Sequence, residues 1–306
     1  MFHASDPRAS LGTAAGAKPA AKTPVSFAGA EYARFYAGPP QEQGDFGKTW
    51  YARAQNFILG HSETNAGAVL ERRGQIDEYC LIIPDAATRV QVRTPAETVD
   101  IPGYSIVFVP PGDSTVTVVT GGRLCRLFSS RSADLAALCA NAASYAEPHP
   151  NIPPFQPWPE PRGGFRVRHY SLEVKGSEGR FGRIFRCTTL MVNFLDPRIG
   201  LRDITKLSPH HHDDFEQGSY VIDGAFVHDI RWPWTPDMTI WREDEHELLA
   251  APSLTVIPPP AVHTSRSVLP GFNQMIDIFS PPRVDFSQKP GWVLNADDYP
   301  MPGETA

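Results

Sequence analysis

The segment LSPHHHDDFEQGSYVIDG, residues 207–224, places three histidines and a glutamate just before an apolar run typical of a β-strand. His210 and His212 are two positions apart and Glu216 has the same parity, so in an extended chain these side chains point to one face. His211 has the opposite parity and is expected to point outward. Imidazole and carboxylate groups together are good ligands for Fe, Mn, Ni, Zn or Co. The segment therefore predicts a divalent-metal site.

A further candidate ligand ends the segment SLTVIPPPAVH, residues 253–263, in which a strand pattern and a proline-rich turn precede His263. The segment matches SIVFVPPGDST, residues 105–115, at an offset of 148, with the serine and the Pro-Pro pair in register. The first copy ends on Thr115 where the second ends on His263. We interpret the match as two copies of one β unit. Without Glu216 and His263, the three adjacent histidines would be a weak signal and would sooner indicate an exposed polar turn.

The rest of the chain has the texture of an all-β protein. Short runs rich in Val, Ile, Thr and Phe, bounded by turn residues, recur in both halves, and the 306 residues include 31 prolines and 24 glycines. One short helix is expected at about 132–146. Seven prolines within residues 148–161 predict a stiff linker, because proline cannot donate a backbone hydrogen bond. The expected parts are a mobile arm at residues 1–28 and domains at 29–151 and 152–306.

The two motifs resemble those of the cupin superfamily. Its first motif has HxH, three residues and a glutamate, and its second has PxG, two residues and a histidine; here Pro260 replaces that glycine. Gly224 ends the predicted hairpin, one residue farther from Glu216 than in the usual pattern. The resemblance implies two cupin-type double-stranded β-helix (jelly-roll) barrels in tandem, joined by the proline-rich linker. The metal ligands that it implies are His210, His212, Glu216 and His263.

The N-terminal copy resembles the same barrel without its ligands. Arg72 and Gly74 stand where the two histidines of the first motif would be, and Thr115 replaces the last histidine. Asp77 or Glu78 lies near the carboxylate position. We therefore expect a metal ion only in the second barrel.

The resemblance also implies a function. It favours a metal-dependent, dioxygenase-like oxygenase that uses one divalent ion, Fe(II) before Mn, Ni or Zn, and acts on a small organic acid, aromatic or diketone-like. One alternative is a redox-neutral isomerase, epimerase, lyase or decarboxylase, in which Glu216 or Tyr220 would act as a catalytic residue by moving a proton. Another is a non-catalytic ligand-binding cupin.

Several residues are candidates for the substrate pocket. The insert at 231–246 carries tryptophans that could grip an apolar or ring-containing substrate, or else pack as a hairpin. Tyr220 shares the parity of Glu216 and would face the cavity unless it is a core residue. Asp277 interrupts an apolar strand and, if it points inward, needs a partner such as Arg183, Arg186 or a metal-bound water. The candidate pocket residues are Trp232, Trp234, Trp241 and Asp277.

Composition excludes some classes of partner. The net charge is −6 with no block of Lys and Arg, so neither a nucleic acid nor an anionic membrane is expected. No run of 18 apolar residues predicts a membrane span. The four cysteines form no CxxC pair, which favours buried, reduced thiols and a cytoplasmic location. A homodimer is expected, because barrels of this kind often pair through their sheet edges.

Overall fold

The computed structural model describes residues 26–177 and 179–304 and confirms an all-β architecture. The strands of the N-terminal half are β1 (Glu31–Arg34), β2 (Glu42–Gly44), β3 (Gly47–Arg53), β4 (Phe57–Thr64), β5 (Val69–Gln75), β6 (Tyr79–Ile83), β7 (Arg89–Arg93), β8 (Thr98–Ile101), β9 (Ser105–Val109), β10 (Gly112–Thr120) and β11 (Gly122–Ser129). Those of the C-terminal half are β12 (Arg168–Ser171), β13 (Arg183–Arg186), β14 (Met191–Phe194), β15 (Arg198–Ile199), β16 (Glu216–Asp223), β17 (Ala225–Arg231), β18 (Glu245–Ala250), β19 (Ser253–Ile257), β20 (Val262–Ser267) and β21 (Phe272–Ser280). Helices are short: α1 (Ala133–Leu138), α2 (Val284–Ser287) and two 3₁₀ turns, Ala142–Tyr145 and Met238–Ile240.

Each half forms two facing antiparallel sheets. In the first barrel the sheets have the strand orders β12-β9-β6-β11-β4-β3-β2 and β5-β10-β7-β8. In the second barrel they are β1-β19-β16-β21-β14-β13, with β15 paired to β21, and β18-β17-β20. The order β9-β6-β11-β4-β3 in the first large sheet corresponds to β19-β16-β21-β14-β13 in the second, which agrees with the repeat seen in the sequence. In register, Val109 lies opposite Tyr79 and Ile257 lies opposite Gln217, again at an offset of 148 along β9 and β19.

The two halves exchange edge strands. Strand β1 pairs with β19 of the second barrel, and β12 pairs with β9 of the first. Each large sheet is thus completed by a strand from the other half, which covers backbone groups that an edge would leave unpaired. The division into 29–151 and 152–306 stays a prediction, and strand pairing crosses it twice. Residues 1–25 of the predicted arm lie outside the described residues.

The largest apolar core lies between the barrels rather than inside one of them. It joins the large sheets face to face and includes Phe57, Leu59, Cys80, Phe108, Leu127, Phe185, Val192, Tyr220, Leu254 and Ile278. Alternation along β16 explains how one strand serves two environments. Gly218, Tyr220 and Ile222 face the first barrel, whereas Gln217 and Val221 face the interior of the second.

The predictions for the cysteines and for the helix at 132–146 hold, except that the helix is shorter than expected. All four cysteines are buried and free, as predicted. The helix expected at about 132–146 is shorter: α1 ends at Leu138, and Cys139 has an extended backbone before the 3₁₀ turn at Ala142–Tyr145. Ser132 does not cap it through its side chain, and its hydroxyl accepts from Nε2 of Gln75. Among the described residues, no helix has the length and apolar character that crossing a membrane requires.

A buried carboxyl group at the inter-barrel contact makes stability depend on pH. Glu78 accepts from the hydroxyl of Tyr299 at 2.6 Å and from the backbone and hydroxyl of Thr188, both in the C-terminal half. Burial, which penalises the charged form, raises the pKa of Glu78 to about 7 from 4.5, against the lowering effect of these hydrogen bonds.

We expect Glu78→Gln to remove part of this pH dependence. A raised pKa in the folded state means that the stabilising contribution is complete below pH 4.5 and is lost as the pH rises through about 7. Wild type should therefore lose about 3 kcal/mol relative to Glu78→Gln between pH 4.5 and pH 8. Urea unfolding of both proteins at the two pH values checks this. A constant difference would contradict it.

Candidate metal centre

Three of the predicted ligands come together at the mouth of the second barrel. His210 and His263 form an isolated antiparallel bridge, with backbone N–O distances of 2.8 and 3.1 Å. His212 follows in an irregular stretch, and its ring lies 4.9 Å from that of His210 and 5.3 Å from that of His263, centroid to centroid. One nitrogen from each ring can be chosen so that all three lie within 4.8 Å of one another.

Hydrogen bonds and burial influence where these rings carry their protons. The Nδ1 atoms of His210 and His263 lie 2.9 and 3.0 Å from the carbonyl oxygens of Ser208 and Ala261. A carbonyl only accepts, so Nδ1 carries the proton of a neutral ring and Nε2 keeps its lone pair. Burial, helped by the charge of Arg283, lowers the pKa of His212 to about 3. Burial also lowers the pKa of His263 to about 4.

The fourth group at the cluster is Gln217, which sequence reasoning missed. Its Oε1 lies 3.0 Å from Nε2 of His212 and 3.3 Å from Nε2 of His263. A signal was present in the sequence: Gly224 stands one residue too far from Glu216, and this discrepancy vanishes when the motif is counted from Gln217. As metal ligands, the three imidazoles and the amide would bring no negative charge.

The structure does not bring Glu216 to the cluster. Its carboxylate accepts from the backbone N–H of Gln55 at 2.7 Å and from the hydroxyl of Tyr145 at 3.1 Å, both in the N-terminal half. The parity argument failed because residues 211–215 are irregular, so the alternation that starts at His210 does not continue into β16. Glu216 is therefore corrected from a ligand to an inter-barrel contact in this structure.

Tyr220 also faces the inter-barrel contact rather than the metal cavity. It is buried in the shared core, and its hydroxyl lies 2.6 Å from Nδ1 of His61 in the first barrel. The same face of β16 carries both Tyr220 and Glu216, so the two predicted catalytic residues are absent from the cluster for one reason. The alternative interpretation of Tyr220 as a core residue agrees with the structure.

The tryptophans of the insert line a different surface. Trp232 is buried, its indole N–H donates to Glu245, and the guanidinium of Arg242 lies over its ring. Trp234 and Trp241 stack at 4.7 Å between ring centroids, and Trp234 is exposed. The depression that they border does not include the three clustered histidines. The prediction that these three tryptophans line a pocket together with the metal ligands is therefore wrong for this structure.

Asp277 lies inside the second barrel, beneath the cluster. Its Oδ1 accepts from the Ser219 hydroxyl at 3.1 Å and from Nε2 of Gln217 at 3.3 Å. Burial raises the pKa of Asp277 to about 7. The arginines proposed as its partners bind elsewhere: Arg183 donates to Tyr104 and Arg186 donates to the backbone oxygen of Tyr299.

A cleft of about 1120 Å³ is lined in part by His210 and His212 of the cluster. The linker, the histidine segment, the exit from β21 and the C-terminal tail contribute its walls: Gln156–Pro159, His210–Phe215, Pro281–Asp285, Gln288, Pro302 and Gly303. Arg283 is a positive group of this lining, stacked 3.6 Å over the Phe286 ring and paired with Asp285 at 2.7 Å. From the sequence, Arg283 is expected to form a structural ion pair rather than to anchor a substrate; the structure shows an ion pair, and it places the residue on the wall of the cleft.

The equivalent place in the first barrel has different side chains. Glu71 lies opposite Thr115 as His210 lies opposite His263, so Glu71 rather than Arg72 takes the position of the first histidine. Tyr79 takes the position of Gln217 and stacks on Phe128 at 4.9 Å. The absence of metal from this barrel stays a prediction.

Comparisons with known proteins identify the fold. No family model matches the chain, and no curated protein matches it. Among solved structures, oxalate decarboxylase of Lactobacillus farciminis in complex with formate aligns with 82% of this chain and 86% of that chain, with a TM-score of 0.56 and 13% identity. A mutant of oxalate decarboxylase OxdC of Bacillus subtilis aligns with 89% and 84%, with a TM-score of 0.54 and 12% identity. AerE of Microcystis aeruginosa aligns with 78% and 93%, with a TM-score of 0.53 and 9% identity. The chain therefore has the cupin fold, with two barrels in tandem.

Proposed function

We propose that the second barrel binds one divalent metal ion through His210, His212, His263 and Gln217, and that the protein is a metalloenzyme acting on a small organic acid. The observation that carries the proposal is the convergence of these four side chains, two of which, His210 and His212, line a cleft. Ligands at neighbouring octahedral positions with bonds of about 2.1 Å lie about 3 Å apart. The distances of 3.0 and 3.3 Å from Gln217 Oε1 to the two imidazoles fit that separation.

The charge of the centre supports an anionic substrate. Four neutral ligands leave the full charge of a divalent ion uncompensated by the side chains that bind it. On the wall of the same cleft, Arg283 is paired with Asp285, and Asp213 and Asp214 also belong to the lining. A carboxylate or enolate that enters the cleft would be attracted by the ion. The Arg283 guanidinium donates to Asp285 through Nε and Nη2, which leaves Nη1 to donate to an oxygen of the entering acid. These features favour an organic acid over a neutral substrate.

The arrangement favours an oxygenase over a proton-transferring enzyme. A divalent ion held there would supply Lewis acidity and, if it is Fe(II) or Mn, redox chemistry with dioxygen. The residues proposed to move protons, Glu216 and Tyr220, lie on the other face of β16 and cannot reach a substrate in the cleft. The protein itself would then bind the acid at Arg283. Because His263 is buried, the protein would also limit the access of water to the ion from that side.

A decarboxylase is the second candidate. It is suggested by the likeness in fold to oxalate decarboxylases, including the Bacillus subtilis enzyme, whose Mn(II) centers were studied. Elemental analysis of protein purified without added metal, followed by gas measurements with a panel of small organic acids, tests both candidates. Dioxygen uptake stoichiometric with substrate supports the oxygenase. Release of CO₂ without net uptake supports the decarboxylase, and tight binding of an acid without turnover would overturn both.

Replacing Arg283 should impair substrate binding more than metal binding. For any acid that is turned over, Arg283→Gln should raise KM by about 10–100-fold, because a charge-assisted hydrogen bond contributes roughly 1.5–3 kcal/mol. Asp285→Asn is the matched control, since it removes the ion pair but keeps the guanidinium; its KM should stay within about fivefold of wild type. Steady-state kinetics and metal content of both variants check this. Equal effects of the two substitutions would contradict a role in binding the acid.

Two further expectations stay predictions. A homodimer would be detected by light scattering of the purified protein, and a cytoplasmic location by fractionation of the source cells.

A further inference from the structure

We propose that Asp277 is the positioning residue of this metal centre: it orients the Gln217 amide so that Oε1 faces the ion, and it supplies the negative charge that the four neutral ligands lack. The inference rests on the proposed metal site. It concerns a residue that does not touch the ion, and it explains how an amide can stand where the cupin pattern has a carboxylate.

The hydrogen bonds around Gln217 determine which end of its amide faces the histidines. Nε2 donates to Oγ of Ser219 at 3.1 Å and to Oδ1 of Asp277 at 3.3 Å. Ser219 in turn donates to the same carboxylate oxygen at 3.1 Å, across the β16–β21 pair. In its ionised form the Asp277 carboxylate only accepts, and that form selects the N–H₂ end of the amide. The carbonyl end is then left to face His212 and His263.

The charge of Asp277 has no counter-ion on a neighbouring side chain. Asp277 is buried, and no salt bridge links it to a Lys, Arg or His among residues 26–177 and 179–304. Arg283 acts on it only through longer-range attraction. A buried carboxylate is costly unless it is paired. A divalent ion on the far side of the Gln217 amide would be its partner, and the amide dipole would transmit the attraction.

The first barrel provides an internal comparison. In register, Arg126 lies opposite Leu81 as Asp277 lies opposite Ser219, so the equivalent position carries a positive charge in the barrel without the histidines. Arg126 donates there to the Tyr51 hydroxyl. The residue opposite also differs: it is the apolar Leu81 in the first barrel and Ser219, which can donate a hydrogen bond to a carboxylate, in the second. The carboxylate and its hydroxyl partner thus occur together with the histidine cluster, which fits a role at a cation.

The test is titration of metal-free protein with Mn²⁺ by calorimetry. Asp277→Asn keeps the shape but removes the charge, and should weaken Mn²⁺ binding by about 10–100-fold, the usual effect of losing a partner behind a ligand. The double variant Gln217→Glu/Asp277→Asn moves the carboxylate onto the ligand itself and should bring affinity back to within about threefold of wild type. Gln217→Glu alone is the reference, because a carboxylate ligand raises Mn²⁺ affinity by itself. A purely structural role of Asp277 predicts that Asp277→Asn weakens binding by the same factor with or without Gln217→Glu. Ser253→Ala, a buried hydroxyl inside the same barrel that does not contact Gln217, is the matched control and should bind as wild type does.

The outcomes separate this inference from the proposed function. If wild type binds no Mn²⁺, or His263→Ala binds as well as wild type, the metal site itself fails. If wild type binds but Asp277→Asn binds equally well, or if the double variant is as weak as the single one, only the role of Asp277 fails. Should Asp277→Asn not fold, Ser219→Ala replaces it: weaker Mn²⁺ binding supports the role, and wild-type affinity overturns it.

Discussion

Replacing His263 with alanine should weaken binding of a divalent ion by more than about 100-fold, since loss of a ligand exceeds the 10–100-fold effect of losing a group behind one. His263 is the most buried of the three histidines, and its backbone bridge to His210 brings the two halves of the motif together. Elemental analysis of protein purified without added metal measures the effect directly. Retention of near-stoichiometric metal would contradict the assignment.

Two control variants sharpen this prediction. His211→Ala removes an exposed imidazole from the same segment, beside Asp213 rather than in the cluster, and should leave the metal content unchanged. Glu216→Gln removes the carboxylate that the cupin motif assigns as a ligand and that the structure places against Gln55 and Tyr145. Its metal content should also equal that of wild type. Loss of metal in Glu216→Gln would restore the assignment based on the motif.

Replacing Phe57 with alanine should lower the free energy of unfolding by about 4 kcal/mol, in the range observed when a buried aromatic ring is removed. Phe57 is fully buried in the core between the barrels, and a Cβ added at Gly218 would come within 2.6 Å of its ring. The ring therefore fills the space that glycine leaves on the second barrel. Its loss creates a cavity that neither barrel can close alone.

Urea unfolding monitored by circular dichroism measures this effect. Val119→Ala, in the exposed part of β10, is the control and should change the free energy of unfolding by less than about 0.5 kcal/mol. A loss below about 1 kcal/mol for Phe57→Ala would mean that the inter-barrel core contributes little to stability. Separate unfolding transitions for the two halves would lead to the same conclusion.

Much of the architecture follows from local patterns. Short β-branched runs between turn residues predict strands, and the repeat at an offset of 148 predicts two similar units, because both depend on neighbours along the chain. The exchange of β1 and β12 between barrels could not be predicted, since an edge strand has the same pattern whichever sheet it joins. The insert tryptophans show a similar limit: their composition suits a pocket, but their position depends on where the hairpin lies.

The sequence by itself determined the cupin-type barrels and the three histidines, because strand patterns and the HxH spacing are properties of short segments. Only the tertiary structure decided the fourth group. One residue separates Glu216 from Gln217, and in a strand one residue changes the face of the sheet to which a side chain points. The irregular stretch before β16 hides that register from the sequence, whereas pairing with β19 and β21 determines it. Gln217 consequently faces the histidines, and Glu216 faces the other barrel.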